Sequence, residues 1–281
     1  MEIVFNKLCY IENPKSSSEK KYLDDVNLVI KQGSVVGFLS DDLGILGNLI
    51  MAIKKPTKGE LRIDDVVIKR TSHISNVNEL RKKVGFVSAS SNEFIGKTVK
   101  EEIKQTMKNF GYKASNLTKH IIDSLKIVGI GEEYLDRNPS TLSYTEKKKI
   151  MLASAMSYNP SVLILEDFEK GLLFKEREYF RKLFLKLKHK FNKTVILITK
   201  DLTTMFDLVD KVHVINKGKL VISGGKEIFY DNKLYKYVEM PKIVEFTKYA
   251  QECGHNILEY TDIKELIKEL YRNVQLVRLF L

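Results

Sequence analysis

The spacing of hydrophobic positions changes period repeatedly along the chain, and those changes outline its elements. Alternation over Ile3–Ile11 and Leu23–Ile30 predicts two strands with one buried face each. A continuous run, Val35-Val36-Gly37-Phe38-Leu39, predicts a strand covered on both faces, and helically spaced apolar residues follow from Ile45 to Ile53. Leu61–Ile63 and Val66–Ile68 flank Asp64-Asp65 as a hairpin. Glu79–Lys83 leads as a short helix into the strand Val84–Val87. The periods of Val99–Phe110 and Leu117–Val128 are helical, as is that of Thr145–Met156 behind Ser143. Val162–Leu165 and Thr194–Thr199 are buried strands on either side of a helix over Glu176–Phe191. Val212–Ile215 and Leu220–Ile222 form a hairpin around Lys217-Gly218. Beyond Lys226 no strand pattern recurs, and Tyr235–Leu281 is mostly helical.

Strands alternate with helices, so the expected core is α/β. The boundaries predicted are a main domain over residues 1–226, a helical subdomain at about 97–139 within it, and a helical appendage over 227–281.

Composition narrows this picture only slightly. No window carries the ~18 consecutive apolar residues of a membrane span, and the first residues do not form a signal peptide. Two cysteines, Cys9 and Cys253, make no disulfide framework and fit a reducing cytosol. Lys and Arg number 47 against 36 Asp and Glu, a net charge of +11. The lysines are spread along amphipathic segments, with clusters such as Lys147-Lys148-Lys149 on one helix. They read as a solubilising surface, and no nucleic-acid partner is expected.

The chemistry concentrates where the strand ending at Leu39 meets its helix. A strand, a polar loop and an apolar helix in that order make the frame of a phosphate-binding loop, G-x-x-x-x-G-K-[S/T]. The positions here read Ser40, Asp41, Asp42, Leu43, Gly44, Ile45, Leu46, Gly47, followed by Asn48. Leu46 stands where the lysine would reach the phosphates, and Gly47 where a hydroxyl would hold Mg²⁺. Asp41 and Asp42 add negative charge. Two unit charges ~5 Å apart at an effective dielectric near 20 interact by about 3 kcal/mol, so these changes weigh against a triphosphate.

Around this frame, Leu23-Asp24-Asp25-Val26-Asn27-Leu28, Lys55-Pro56-Thr57-x-Gly59, Leu80-Arg81-Lys82-Lys83-Val84-Gly85-Phe86-Val87 and Thr98-Val99-Lys100-Glu101-Glu102-Ile103 resemble the nucleotide-binding subunits of ABC transporters. Met240-Pro241-Lys242-Ile243-Val244-Glu245 and Thr261-Asp262-Ile263-Lys264-Glu265-Leu266 resemble the C-terminal domain of the energy-coupling factor (ECF) type, the ATPases of vitamin and metal importers. The resemblance covers nearly the whole chain. It implies a P-loop NTPase fold: a RecA-like core with an antiparallel β edge, a helical subdomain and a small helical C-terminal domain. It also implies a dimer with itself or a paralogous ABC ATPase, a transmembrane ECF-type T component as partner, and a peripheral place on the cytoplasmic face of the cell membrane.

The family's motifs are altered throughout. Its Asp-Glu pair, metal ligand and then base, reads Glu166-Asp167, and exchanging the lengths moves each carboxylate by ~1.5 Å, enough to cost ~10²-fold in rate. The glutamine that would link metal site and membrane subunit is Ala89. The signature L-S-G-G-Q reads Leu142-Ser143-Tyr144-Thr145-Glu146, the D-loop aspartate is Leu173, and the switch histidine is Lys200. The aromatic expected to stack on adenine is Glu12, with Tyr10 nearby. These departures predict a pseudo-ATPase: remnant catalytic positions Glu166, Asp167 and Lys200, no metal site, no required cofactor and at most weak binding of ATP with Mg²⁺. Lys200 is expected to reach Glu166 or Asp167. The alternatives are an active ABC ATPase with divergent motifs that energises transport, and a soluble regulatory protein of the same fold.

Overall fold

The computed structural model describes residues 1–40, 44–73, 77–88, 93–206, 208–258 and 263–279. Asp41, Asp42, Leu43 and Ala89 lie outside the described residues.

Two sheets and their helices account for most of the chain. β1 (Ile3–Glu12), β2 (Lys20–Ile30), β4 (Lys58–Ile63) and β5 (Val66–Ile68) form an antiparallel sheet in the order β2-β1-β4-β5. The central sheet has the order β10-β9-β3-β8-β7-β6. Its strands β3 (Val35–Ser40), β6 (Val84–Ser88), β7 (Val162–Glu166), β8 (Thr194–Thr199) and β9 (Lys211–Asn216) run parallel, and β10 (Lys219–Gly224) closes the edge antiparallel to β9.

Side-chain alternation in the central strands sorts residues into two cores. Val36, Phe38, Ile164, Ile196 and Ile198 face the antiparallel sheet and α1 (Gly44–Ile50). Phe5 and Phe38 stack across this interface, with ring centroids 6.4 Å apart. Val35, Leu39, Leu163, Leu165, Val195 and Leu197 face the other way. They are covered by α3 (Val99–Asn109), α4 (Leu117–Ile127), α5 (Tyr144–Met156) and α6 (Phe174–Phe191). The RecA-like core, antiparallel β layer and helical region expected of an ABC ATPase are therefore present.

The bounds of several elements differ from the hydrophobic pattern, those of β2 and α6 among them. β2 begins at Lys20, because Glu12 pairs with Lys20 and Ile11 with Lys21. Its first residues are polar on an edge strand, where no alternation marks them. α6 begins at Phe174, with the carboxylate of Glu176 accepting from the Leu173 N–H at 2.7 Å. Phe174 is exposed, so the apolar face of the helix starts later than the helix itself.

α2 (Val77–Lys82) fastens α1 from outside. Arg81 Nε and one terminal nitrogen donate to the carbonyls of Met51 and Ala52 at 3.1 and 3.0 Å, satisfying groups that the helix end leaves open. At the C-terminal end, α7 (Lys242–Glu252) buries Val244 in the core beneath the helices. α8 (Ile263–Leu279) packs Leu266 with Ala250 and Ile257 as a separate cluster. Among the described residues no helix is long and apolar enough to cross a membrane.

Candidate functional site at the carboxyl ends of β3, β7 and β8

In a parallel sheet, ligands bind outside the carboxyl ends of the strands, where chain order reverses. β3 lies between β8 and β9, so the chain ends converging here are Ser40, Glu166 and Thr199. All six residues of β8 and the first five of β3 are buried. These strands hold their last residues on a rigid frame.

Glu166 reaches toward the start of α1. A Cβ built on Gly44 would lie 3.4 Å from its Oε1. Burial raises the Glu166 carboxyl above the usual carboxylate range, and the charge of Asp167 adds to this; a hydrogen bond from Ser88 opposes it. Ser88 is its register partner on β6. Asp167 follows at φ +45°, an uncommon conformation for a residue with a side chain, and its N–H donates to Ile198 O at 2.8 Å. Glu169 accepts a hydrogen bond from the Thr199 hydroxyl, while burial raises its carboxyl.

α1 presents its residues to the core rather than to this cleft. Leu46 is fully buried, and Ile45 and Leu49 pack beside it. Gly47 faces Phe86: a Cβ there would lie 2.6 Å from Phe86 Cε2. Asn48 receives the N–H groups of Ile53 and Lys54 on its carbonyl beyond the helix end. Lys54 is bound elsewhere, to Glu12 at 2.6 Å, and Glu12 also accepts from the Tyr22 hydroxyl at 3.0 Å. Tyr10 is buried against Tyr22, with centroids 5.9 Å apart. Lys200 lines a cavity of about 200 Å³ with Ser40, Asn216, Tyr237 and Glu239. The pairing expected of it with Glu166 or Asp167 is not among the described ion pairs.

The signature segment begins α5. Leu142 is buried, and Ser143 caps the helix in a reciprocal box with Glu146: Ser143 N donates to Glu146 Oε2 at 2.8 Å and Glu146 N to Ser143 Oγ at 3.4 Å. Donors from Tyr134 and Ser143 bring the Glu146 carboxyl down to about 2. Thr145 Oγ1 donates to Glu176 at 2.6 Å, and Tyr144 Oη to Lys170 O at 2.9 Å.

Lys148 corrects the reading of the lysine triplet as a solvated cluster. Its side chain is 1% exposed and inserts between α5 and the turn after β7. Burial lowers its ammonium to about 8. The only hint in the sequence is its i+4 spacing from Tyr144.

A hard divalent cation suits the oxygen donors gathered here, the Glu166 carboxylate and the Ser88 hydroxyl. The raised Glu166 carboxyl is a charge that such a cation would stabilise. Among the described residues no cluster of three or more acidic, histidine or cysteine ligands forms. A Mg²⁺ ion here would take its remaining ligands from phosphate oxygens and water, as it commonly does.

The ABC transporter family pattern matches residues 23–168. The energy-coupling factor transporter ATP-binding protein EcfA2 of Streptococcus agalactiae serotype Ia is 30% identical, over 98% of this chain and 99% of its own length. The protein of the same name from Streptococcus thermophilus is 29% identical, over 91% and 94%. The fold matches that of cbiO1 from Clostridium perfringens, part of the ABC transporter complex cbiONQ, with a TM-score of 0.72 at 23% identity over 88% of this chain and 98% of that one. It also matches the dimeric post-hydrolysis cassette MJ0796 bound to ADP and Pi, with a TM-score of 0.71 at 21% identity over 80% and 98%.

These relatives overturn the expectation of a hydrolysis-inactive pseudo-ATPase. Proteins that align with more than nine-tenths of this chain are named as ATP-binding transporter proteins. The altered motifs, Glu166, Asp167 and Lys200 among them, are therefore divergent and not remnants of a lost site. That expectation rested on the departures taken together, yet the frame of β3, α1 and the carboxylate pair is kept. The chain belongs to the ABC transporter family, among the ATP-binding subunits of the energy-coupling factor type.

Proposed function

We propose that this chain is an ATP-binding subunit of an ECF-type importer and energises uptake with divergent motifs. It acts as a dimer with a paralogous cassette or a second copy, bound to a transmembrane T component at the cytoplasmic face of the membrane. The observation that carries this reading is the similarity over 98% of the chain to a protein of that role, together with two carboxylates at the end of β7.

Glu166 and Ser88 are the residues suited to hold Mg²⁺, which supplies charge neutralisation at the phosphates when bound. Asp167 is the candidate base that takes a proton from the attacking water, and its N–H bond to Ile198 fixes where that carboxylate starts. Its left-handed backbone turns the chain sharply away from the strand.

Calorimetry with Mg²⁺-ATP and phosphate release by the purified chain, alone and with a paralogous cassette, test this. Binding is expected, with a turnover near ~1 s⁻¹, in the ordinary enzyme range, that Asp167→Asn reduces at least ~10²-fold. Absence of both heat and phosphate release at millimolar ATP in either preparation would overturn it.

A further inference from the structure

The N-terminal part of α5 and the turn that follows the carboxylate pair are joined by a buried ammonium. Lys148 Nζ donates to the carbonyls of Phe168 and Lys170, the second at 2.7 Å. It lies 4.8 Å from the ring centroid of Tyr144 and 5.2 Å from that of Phe168. Tyr144 adds its own hydroxyl to Lys170 O at 2.9 Å. One carbonyl thus receives two donors from successive turns of one helix.

The chain segment held this way is a tight turn. Asp167 is left-handed at φ +45°, and Gly171 at φ +77°. The turn has two internal N–H bonds, Lys170 N to Asp167 O and Leu172 N to Glu169 O, each at 3.0 Å. At Gly171 a Cβ would lie 2.7 Å from Tyr144 Cε1, so Tyr144 packs directly on the backbone. Asp167 and Glu169 stand close enough for their charges to favour the ammonium, while Arg177 opposes it.

We propose that Lys148 is a positioning residue that ties the signature segment at the start of α5 to the carboxylate turn 166–171. A displacement of the signature segment then reaches Asp167 through the Phe168 and Lys170 carbonyls. An ammonium suits this place because its three N–H groups serve two carbonyls at once, and two ring faces replace the water it loses. A methionine of similar length would fill the space and leave both carbonyls without this donor.

The inference deepens the proposed function, and its first readout does not need hydrolysis. Hydrogen exchange by mass spectrometry on the full chain should show faster exchange of residues 168–172 in Lys148→Met, by about tenfold or more, with protection of β7 and β8 retained. Lys148→Arg, which restores donors and charge, should return exchange to within about threefold of the parent. Tyr144→Phe, which deletes one hydroxyl, should give a smaller increase in the same residues and keeps the test available if Lys148→Met fails to fold. In hydrolysis, Lys148→Met should lower kcat about tenfold and leave KM for ATP within about twofold. Unchanged exchange of 168–172 in both Lys148→Met and Tyr144→Phe would overturn the proposal, as would Lys148→Arg behaving like Lys148→Met. A parent chain that neither binds nor hydrolyses ATP, alone or with a paralogous cassette, would defeat the proposed function, while the exchange result would still decide the role of Lys148.

Discussion

The ring of Phe86 occupies the space into which a side chain at Gly47 would project, with Cε2 2.6 Å from a Cβ built there. The two positions therefore depend on each other: a hydroxyl residue at 47 needs a smaller neighbour at 86. Gly47→Ser alone should cost about 1–2 kcal/mol in denaturant unfolding, the usual range for overpacking. Phe86→Leu should relieve it, giving a coupling of about 1 kcal/mol in a double-mutant cycle. The double variant should also bind Mg²⁺-ATP more tightly than Phe86→Leu alone, measured by calorimetry. Additive effects on stability would show that the ring yields freely.

Arg81 holds the carbonyls of Met51 and Ala52, just past the end of α1, through two hydrogen bonds from a charged group. Arg81→Leu keeps much of the stem and removes the donors, so it should cost about 2–3 kcal/mol in unfolding free energy. Arg81→Lys should recover part of that, because an ammonium keeps the charge and N–H donors but lacks the planar fork that reaches both carbonyls here.

His213 gives the fold a sensitivity to acid. It is 2% exposed on β9, its ring is tilted on Phe38 at 5.2 Å, and neither ring nitrogen has a hydrogen-bond partner among the described residues. Burial, aided by the charge of Lys211, lowers its pKa from 6.5 to about 4. A depressed value means that the unfolded chain takes up the proton first. Stability is therefore full above about pH 6.5 and falls as pH drops toward 4, by about 2–3 kcal/mol. His213→Leu should flatten this part of the profile in thermal unfolding from pH 7 to 4. At pH 7 it should be neutral or stabilising by about 1 kcal/mol, since two buried polar atoms are removed.

Ser143 caps α5 in a reciprocal arrangement with Glu146. Ser143→Ala should cost about 1 kcal/mol in thermal unfolding, and Ser143→Asp should not recover it, because a carboxylate cannot donate to Glu146 as the Ser143 hydroxyl does.

The order of elements was legible in the sequence because each period reports one physical condition. Unbroken apolar runs at Val162–Leu165 and Thr194–Thr199 could be satisfied only by strands covered on both faces, and the structure covers them. Ser143 marked the start of α5, and the structure adds Glu146 as its reciprocal partner. The helical spacing from Ile45 onward left open whether Ile45 and Leu46 face the core, and the packed chain buries both. Tertiary structure alone decided the contacts between distant segments. Nothing in Lys147-Lys148-Lys149 says that the middle lysine is buried, because its partners are backbone carbonyls about twenty residues away. Nothing around Gly47 announces Phe86, and nothing in the lysine pair after α1 says that Lys54 turns to Glu12. A period records the environment a segment needs; only the packed chain determines which atoms provide it.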